Sequence, residues 1–332
     1  MRSFALWYSD SGKDKKEIPN KEVTVHINLW SKKVEDKKEY CFDFGLLVED
    51  IEDIENIYLY MPFEAVKSQI KDLGIVISNN QLVNAIFNEN FSTTDGNPKR
   101  LIVNGVEGKP EFVIYALQVE SQVNLKNCIR RDDTPGTILE INIKDIDIIP
   151  NDISRYYFRI RIKVASDNID LINDEIKGIS IFSDQFTNTE VIDFRLNDVR
   201  SCSEELREQF DKGEQFNILA VHYLILRDAN DVIIHHGKEI NSRMLENDLW
   251  KDYIDGTNKN IIAYHMKSKA EKILKGKDDE LMYKYVENFS DLTRFQYQKG
   301  SNWIVTKYII GIIILGAIGG VAGNWLSKLF GI

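Results

Sequence analysis

The sequence predicts a mainly β protein, built of sandwich- or barrel-like modules with a few short helices, and ending in one C-terminal transmembrane helix. Three observations carry that expectation. Apolar and polar residues alternate in many short runs, turn-forming residues separate the runs, and the C-terminal segment holds an apolar stretch without a single charge.

The strands come first. Val23, Val25, Ile27 and Leu29 share one face of a run whose other face carries Thr24, His26 and Asn28. Comparable runs lie at 2–8, 40–48, 56–61, 111–119, 137–143, 154–165, 188–196, 216–226 and 231–236. Turn chemistry at Asp10–Gly12, Asp95–Pro98, Thr134–Gly136 and Asp228–Asp231 separates several of them. So many short strands point to a sandwich or a barrel.

Helical spacing is rarer. Phe63, Val66, Ile70 and Leu73 recur at helical period before Gly74, and Leu245, Leu249 and Tyr253 mark another helix. Ser201 with Glu204 has the form of a capping box, followed by Leu206 and Phe210 and a stop at Gly213. Leu281, Tyr285, Phe289, Leu292 and Phe295 predict an amphipathic juxtamembrane helix over 278–300, broken by a hinge at Lys299–Asn302. The charged, turn-rich stretch 130–136 divides an N-terminal β-rich domain (1–130) from a second β-rich domain with helices (137–275).

The expected anchor covers 303–328. Tyr308–Gly323 is 16 residues without charge, and counting through Asn324 to Leu326 gives a 19-residue span. At 1.5 Å per residue such a span is roughly 29 Å long, about one hydrocarbon thickness. Trp303, Tyr308 and Trp325 stand where aromatic side chains meet headgroups, and Lys307 and Lys328 bracket the run. The opening residues MRSFALWYSD hold one basic residue and no sustained apolar stretch, unlike a signal peptide. Arg294, Lys299 and Lys307 precede the run and only Lys328 follows, so positive-inside bias puts the body in the cytoplasm. Cys41, Cys128 and Cys202 are far apart with no CxxC, which suits a reducing compartment and argues against a disulfide framework or structural zinc. Within the anchor, Gly316 with Gly320 and Gly319 with Gly323 form two GxxxG pairs, a small-residue face through which helices self-associate.

Charge narrows the partners. With the two anchor lysines set aside, 40 basic residues face 52 acidic ones, so the body repels nucleic acid and anionic lipid as a whole. Nucleic acid is therefore not an expected partner, whereas a membrane is.

Motifs for chemistry are missing: the chain has no GxxxxGK, GxSxG, HExxH or GxGxxG. The five histidines are not expected to cluster, and His235 and His236, adjacent in a strand, point to opposite faces. No metal, cofactor or catalytic residue is expected on this basis. Asp174–Lys177 with Asp167 upstream has the outline of a metal-dependent nuclease core, but such triplets arise by chance in a chain that is 28% charged. The acidic run Glu49–Glu55 lacks the glycine turn of a calcium loop.

One constellation suits a ligand. In the strand from 155 to 164, Tyr156, Phe158, Ile160, Ile162 and Val164 take one face, and Arg155, Tyr157, Arg159, Arg161 and Lys163 the other. A cationic ladder beside an aromatic ring can bind a small phosphate or carboxylate. Cross-strand pairing with an acid such as Asp193 would neutralise it instead.

The function expected is that of a tail-anchored module whose β-rich body binds a small anionic ligand or a protein partner and controls association of the membrane helices. A bacterial defence or stress effector that perturbs the membrane is one version. A passive membrane-tethered adaptor is the main alternative, and a membrane-anchored hydrolase or nuclease the third.

Overall fold

Each strand has two faces, and the architecture follows from what each face buries. The computed structural model describes residues 2–11, 19–34, 37–77, 79–96, 100–106, 110–130, 133–144, 146, 153–174, 187–198, 203–254, 260–275, 280–298 and 302–331.

The largest sheet runs, strand by strand across it, β17 (Asn241–Met244), β18 (Ile261–Lys269), β15 (Asn217–Asp228), β2 (Glu22–Val34), β3 (Lys37–Val48), β11 (Tyr156–Ala165), β8 (Phe112–Tyr115), β7 (Arg100–Asn104) and β6 (Ser92–Gly96). β5 (Ile70–Asp72) also pairs with β11. A second sheet is ordered β14 (Glu214–Gln215), β1 (Ala5–Asp10), β4 (Ile54–Met61), β10 (Pro135–Asn142), β9 (Val123–Ile129). A third is β12 (Ile172–Asp174), β13 (Thr187–Leu196), β21 (Phe289–Gln298), β16 (Val232–His235), and β19 (Glu271–Lys275) pairs with β20 (Glu280–Lys284) as a separate hairpin.

One face of the large sheet packs on the second and third sheets, which makes the body a β-sandwich. Phe42, Phe44, Ile160 and Ile162 there meet Leu59, Leu139 and Phe194. Phe4 sits at the seam, with ring centroids 5.0 Å from Phe44 and 5.4 Å from Phe194, and bridges in parallel to Leu196. Truncating so buried a ring to alanine costs about 3–5 kcal/mol.

The opposite face of the large sheet carries a second core under α1 (Asn80–Phe87) and α4 (Asn247–Trp250). Asn79 caps α1 by accepting the Leu82 amide at 2.8 Å, and Asn88 ends it in the left-handed region at φ 54°. α2 (Val119–Gln122) is a single turn leading into β9. α3 (Glu204–Lys212) lies outside the second sheet, where Leu206 and Phe210 pack with Trp7. Its cap is Ser203, which accepts the Leu206 amide; Ser201 lies outside the described residues.

α5 (Asn302–Phe330) spans 29 residues. Within its segment Val305–Phe330 an 18-residue window reaches a mean hydropathy of 2.0 with none of it buried on the body, so the helix is long and apolar enough to cross a membrane. The sequence expectation of one long apolar C-terminal helix is met.

Three expectations are corrected. Residues 278–300 hold no helix among the described positions: β20 and β21 occupy them, because Phe289, Asp291, Thr293 and Phe295 alternate onto the sheet's buried face while Leu292 is exposed. Residues 63–73 form only a 3₁₀ turn (Lys67–Gln69) and β5, since β11 offers Ile70–Asp72 a sheet edge that outweighs helical spacing. The helix expected from Leu245, Leu249 and Tyr253 shrinks to one turn, α4. Strands from both sides of residues 130–136 interleave in the first two sheets: β11 pairs with β3, and β10 with β4 and β9.

Candidate functional site

The second core is not uniformly apolar, and the exception is a cavity. It holds about 350 Å³, within the range of sites for small molecules. Its floor is one lateral row across five adjacent strands. Register aligns Lys267 (β18) with His222 (β15), His222 with His26 (β2), His26 with Gly45 (β3), and Gly45 with Arg159 (β11). The C-terminal end of α1, β17 and Trp250 of α4 supply the walls.

Gly45 is what allows the row to connect. A Cβ there would lie 2.1 Å from the Tyr157 hydroxyl oxygen, so only glycine lets that ring lie across β3. The phenol then joins two floor residues. Arg159 Nη1 donates to Tyr157 Oη, and Tyr157 Oη lies 3.2 Å from His26 Nδ1. When the phenol gives its one proton to His26 Nδ1, His26 carries its own hydrogen on Nε2. Arg159 Nε also donates to Tyr253 Oη at 2.7 Å.

Beside this chain, His222 Nδ1 and His265 Nε2 are 3.2 Å apart and share one hydrogen. Burial, then the neighbouring charges, lowers all three histidines: His26 lies well below its ordinary value, His222 is held at about 3, and His265 is lowered as well. All three are neutral near pH 7. Burial raises the Tyr157 and Tyr253 phenols, so they are neutral too.

The charge balance is therefore uneven. Arg159 is 1% exposed and Arg161 fully buried, and Asp43 between them is fully buried as well. Asp43 is committed to Arg161, whose Nε and Nη2 reach its two oxygens at 2.7 and 3.0 Å, and to the Trp30 indole at 3.2 Å. Among the described residues no carboxylate pairs with Arg159. The one acid lining the cavity among them is Glu89, exposed at its rim, where Arg243 and Lys267 also stand. The Trp250 indole N–H is buried and has no acceptor among the described residues. A buried guanidinium keeps its charge, and leaving one uncompensated costs several kcal/mol. The arrangement can hold an anion with several acceptor oxygens.

The expected cationic ladder thus divides by partner. Arg155 is held by Glu49 and the Pro110 carbonyl, away from the cavity. Arg161 is neutralised by Asp43, not by Asp193, which pairs with Arg195 on its own strand. Lys163 is half-buried and aligned with Cys41, outside the cavity. Only Arg159 lines the cavity, with Tyr157 behind it. The expectation that the histidines do not cluster is corrected: His26, His222 and His265 meet here, while His235 and His236 are exposed elsewhere. The signal was a polar residue at alternate positions of otherwise apolar strands. Asp174–Lys177 cannot be placed, because residues 175–186 lie outside the described residues. Among the described residues no three His, Cys, Asp or Glu side chains form a group that could hold a metal.

No protein-family model matches this chain, and no curated protein matches it in sequence.

Proposed function

We propose that this protein is a membrane-anchored receptor for a small anion, which binds over Arg159 and controls association of the α5 helices. The observation that carries the reading is Arg159: a fully charged side chain, 1% exposed, lining a cavity without a carboxylate partner among the described residues. An anion from outside completes the charge balance that Asp43 leaves open.

Two further features support coupling to the bilayer. Only residues 299–301 separate β21 from α5, so a change in the body reaches the helix through a short connection. Gly316, Gly319, Gly320 and Gly323 meet nothing within 4 Å at their Cβ positions, leaving a small-residue face open to a partner helix. On the orientation expected from flanking charges, the body faces the cytoplasm.

The test reconstitutes fluorophore-labelled full-length chains in vesicles and reads energy transfer between copies with and without inorganic phosphate. The reading expects transfer to change with phosphate, and the change to vanish when Gly316 and Gly320 become isoleucine. Transfer that ignores phosphate in both proteins would make α5 a tether only.

A further inference from the structure

The cavity offers more donors than a simple monoanion uses, and their placement narrows the ligand. This inference rests on the anion-receptor reading. Groups able to donate stand on five elements: Arg159 on β11, the His26 ring on β2, the His222 ring on β15, Lys267 on β18 and the unpartnered Trp250 indole on α4. A carboxylate has two oxygens in one plane and meets donors from one side. A phosphomonoester spreads three terminal oxygens tetrahedrally and carries nearly two charges near pH 7.

The histidine pair supplies what a second charge requires. His222 Nδ1 and His265 Nε2 sit 3.2 Å apart with one hydrogen between them. One added proton goes to an outer nitrogen and leaves that bond intact. Two added protons would place hydrogens on both facing atoms and break it. The pair can therefore accept one positive charge without moving either ring. Around it stand Lys267 and Lys269 on β18, Arg243 on β17, His26 on β2, Arg159 on β11 and Glu89 just after α1. All but Glu89 and the neutral His26 are cations, and after burial, which acts first, their charges also favour the neutral pair. A dianion reverses that local field.

We propose that the cavity binds a phosphomonoester as its dianion and that binding places one proton from solvent on the His222–His265 pair. No covalent bond between heavy atoms forms or breaks, and the proton added balances the charge that Arg159 leaves unmet.

The test is calorimetric titration of the full-length chain in detergent micelles, near pH 7, in two buffers of different ionisation enthalpy. Three probes share a phenyl ring and differ in the head: phenyl phosphate, benzenesulfonate and benzoate. Phenyl phosphate is expected to bind about tenfold or more tightly than the other two, with about one proton taken up. The double variant His222→Gln, His265→Gln keeps two hydrogen-bonding side chains but leaves the pair nothing to titrate. It should still bind phenyl phosphate, about tenfold more weakly and without proton uptake. The wild-type comparison between buffers stands even if that variant does not fold. Equal affinity for the three probes would show recognition of a single charge and overturn the proposal while leaving the anion receptor standing. Tight phosphate binding without proton uptake would mean that Lys267 meets the second charge, and it too overturns the proposal. If no probe binds, or if Arg159→Met binds them as wild type does, the receptor reading falls with it.

Discussion

Two cation clusters within the body differ in one charge among the described residues. In the first, Glu190 is fully buried and takes hydrogen bonds from Lys38, Tyr40 Oη (3.1 Å) and Arg227 Nη1 (2.5 Å), while Arg227 Nε reaches Asp231 at 2.8 Å. Two cations meet two carboxylates. In the second, Arg159 and Arg161 share the neighbourhood of a single carboxylate, Asp43, and phenols take the remaining contacts. The first cluster is closed and ties β13, β3 and β15 together. Among the described residues the second stays one negative charge short, and it has a cavity beside it. Burial of charge is tolerable when geometry closes the balance; where it does not, a bound anion would close it, as proposed for Arg159.

The comparison breaks most visibly by removing the acids or their direct partners. Glu190→Gln and Arg161→Met should each destabilise by about 3–5 kcal/mol, because each leaves a buried opposite charge behind. Denaturant unfolding of the full-length chain in micelles reads this. An Arg161→Met variant as stable as wild type would mean that Asp43 is not held as described.

A smaller effect tests the connection between clusters and cavity. Gly45→Ala places a methyl group 2.1 Å from Tyr157 Oη, so the ring must move off β3 and release both Arg159 and His26. The expected cost is about 1–3 kcal/mol, together with loss of anion binding. Full binding in this variant would remove Tyr157 from the account.

The pH dependence is smaller again. His222 is held at about 3 in the folded state, so between that value and the ordinary histidine range only the unfolded chain takes up its proton. Its contribution is fully present above the ordinary histidine pKa and is lost as pH falls below it. From near pH 7.5 to near pH 5 the loss is roughly 1–2 kcal/mol for this residue. His222→Asn should flatten that part of the stability profile, and an unchanged slope would argue that the ring titrates freely.

How much of this was legible in the sequence depended on period and distance. Alternation in β2, β11 and β15 showed strands and which residues face together, so His26 and Arg159 stood out as polar positions in apolar runs. Which arginine is neutralised was not legible, because Asp43 and Arg161 are 118 residues apart and meet only through β3–β11 register. The histidine cluster stayed hidden for a second reason. β18 opens with Ile261, Ile262, Ala263 and Tyr264, an unbroken apolar run that masks the alternation placing His265 on the cavity side. In β21 the opposite error arises: Phe289, Leu292 and Phe295 fit a helical spacing, although Phe289, Asp291, Thr293 and Phe295 share the buried face of a strand. The long apolar C-terminal helix was legible outright, since a long charge-free run needs no tertiary partner to be recognised.

The most direct test of the central claim compares thermal unfolding of the wild-type chain and Arg159→Met, each with and without inorganic phosphate. Without phosphate the variant should match wild type within about 1 kcal/mol, because it loses an unpaired charge along with two phenol hydrogen bonds. At phosphate ten times its dissociation constant, wild type should gain about 1.4 kcal/mol, read as a rise of a few degrees in Tm, while the variant gains nothing. Equal stabilisation of both proteins, or of neither, would contradict the assignment of Arg159 as the anion's anchor.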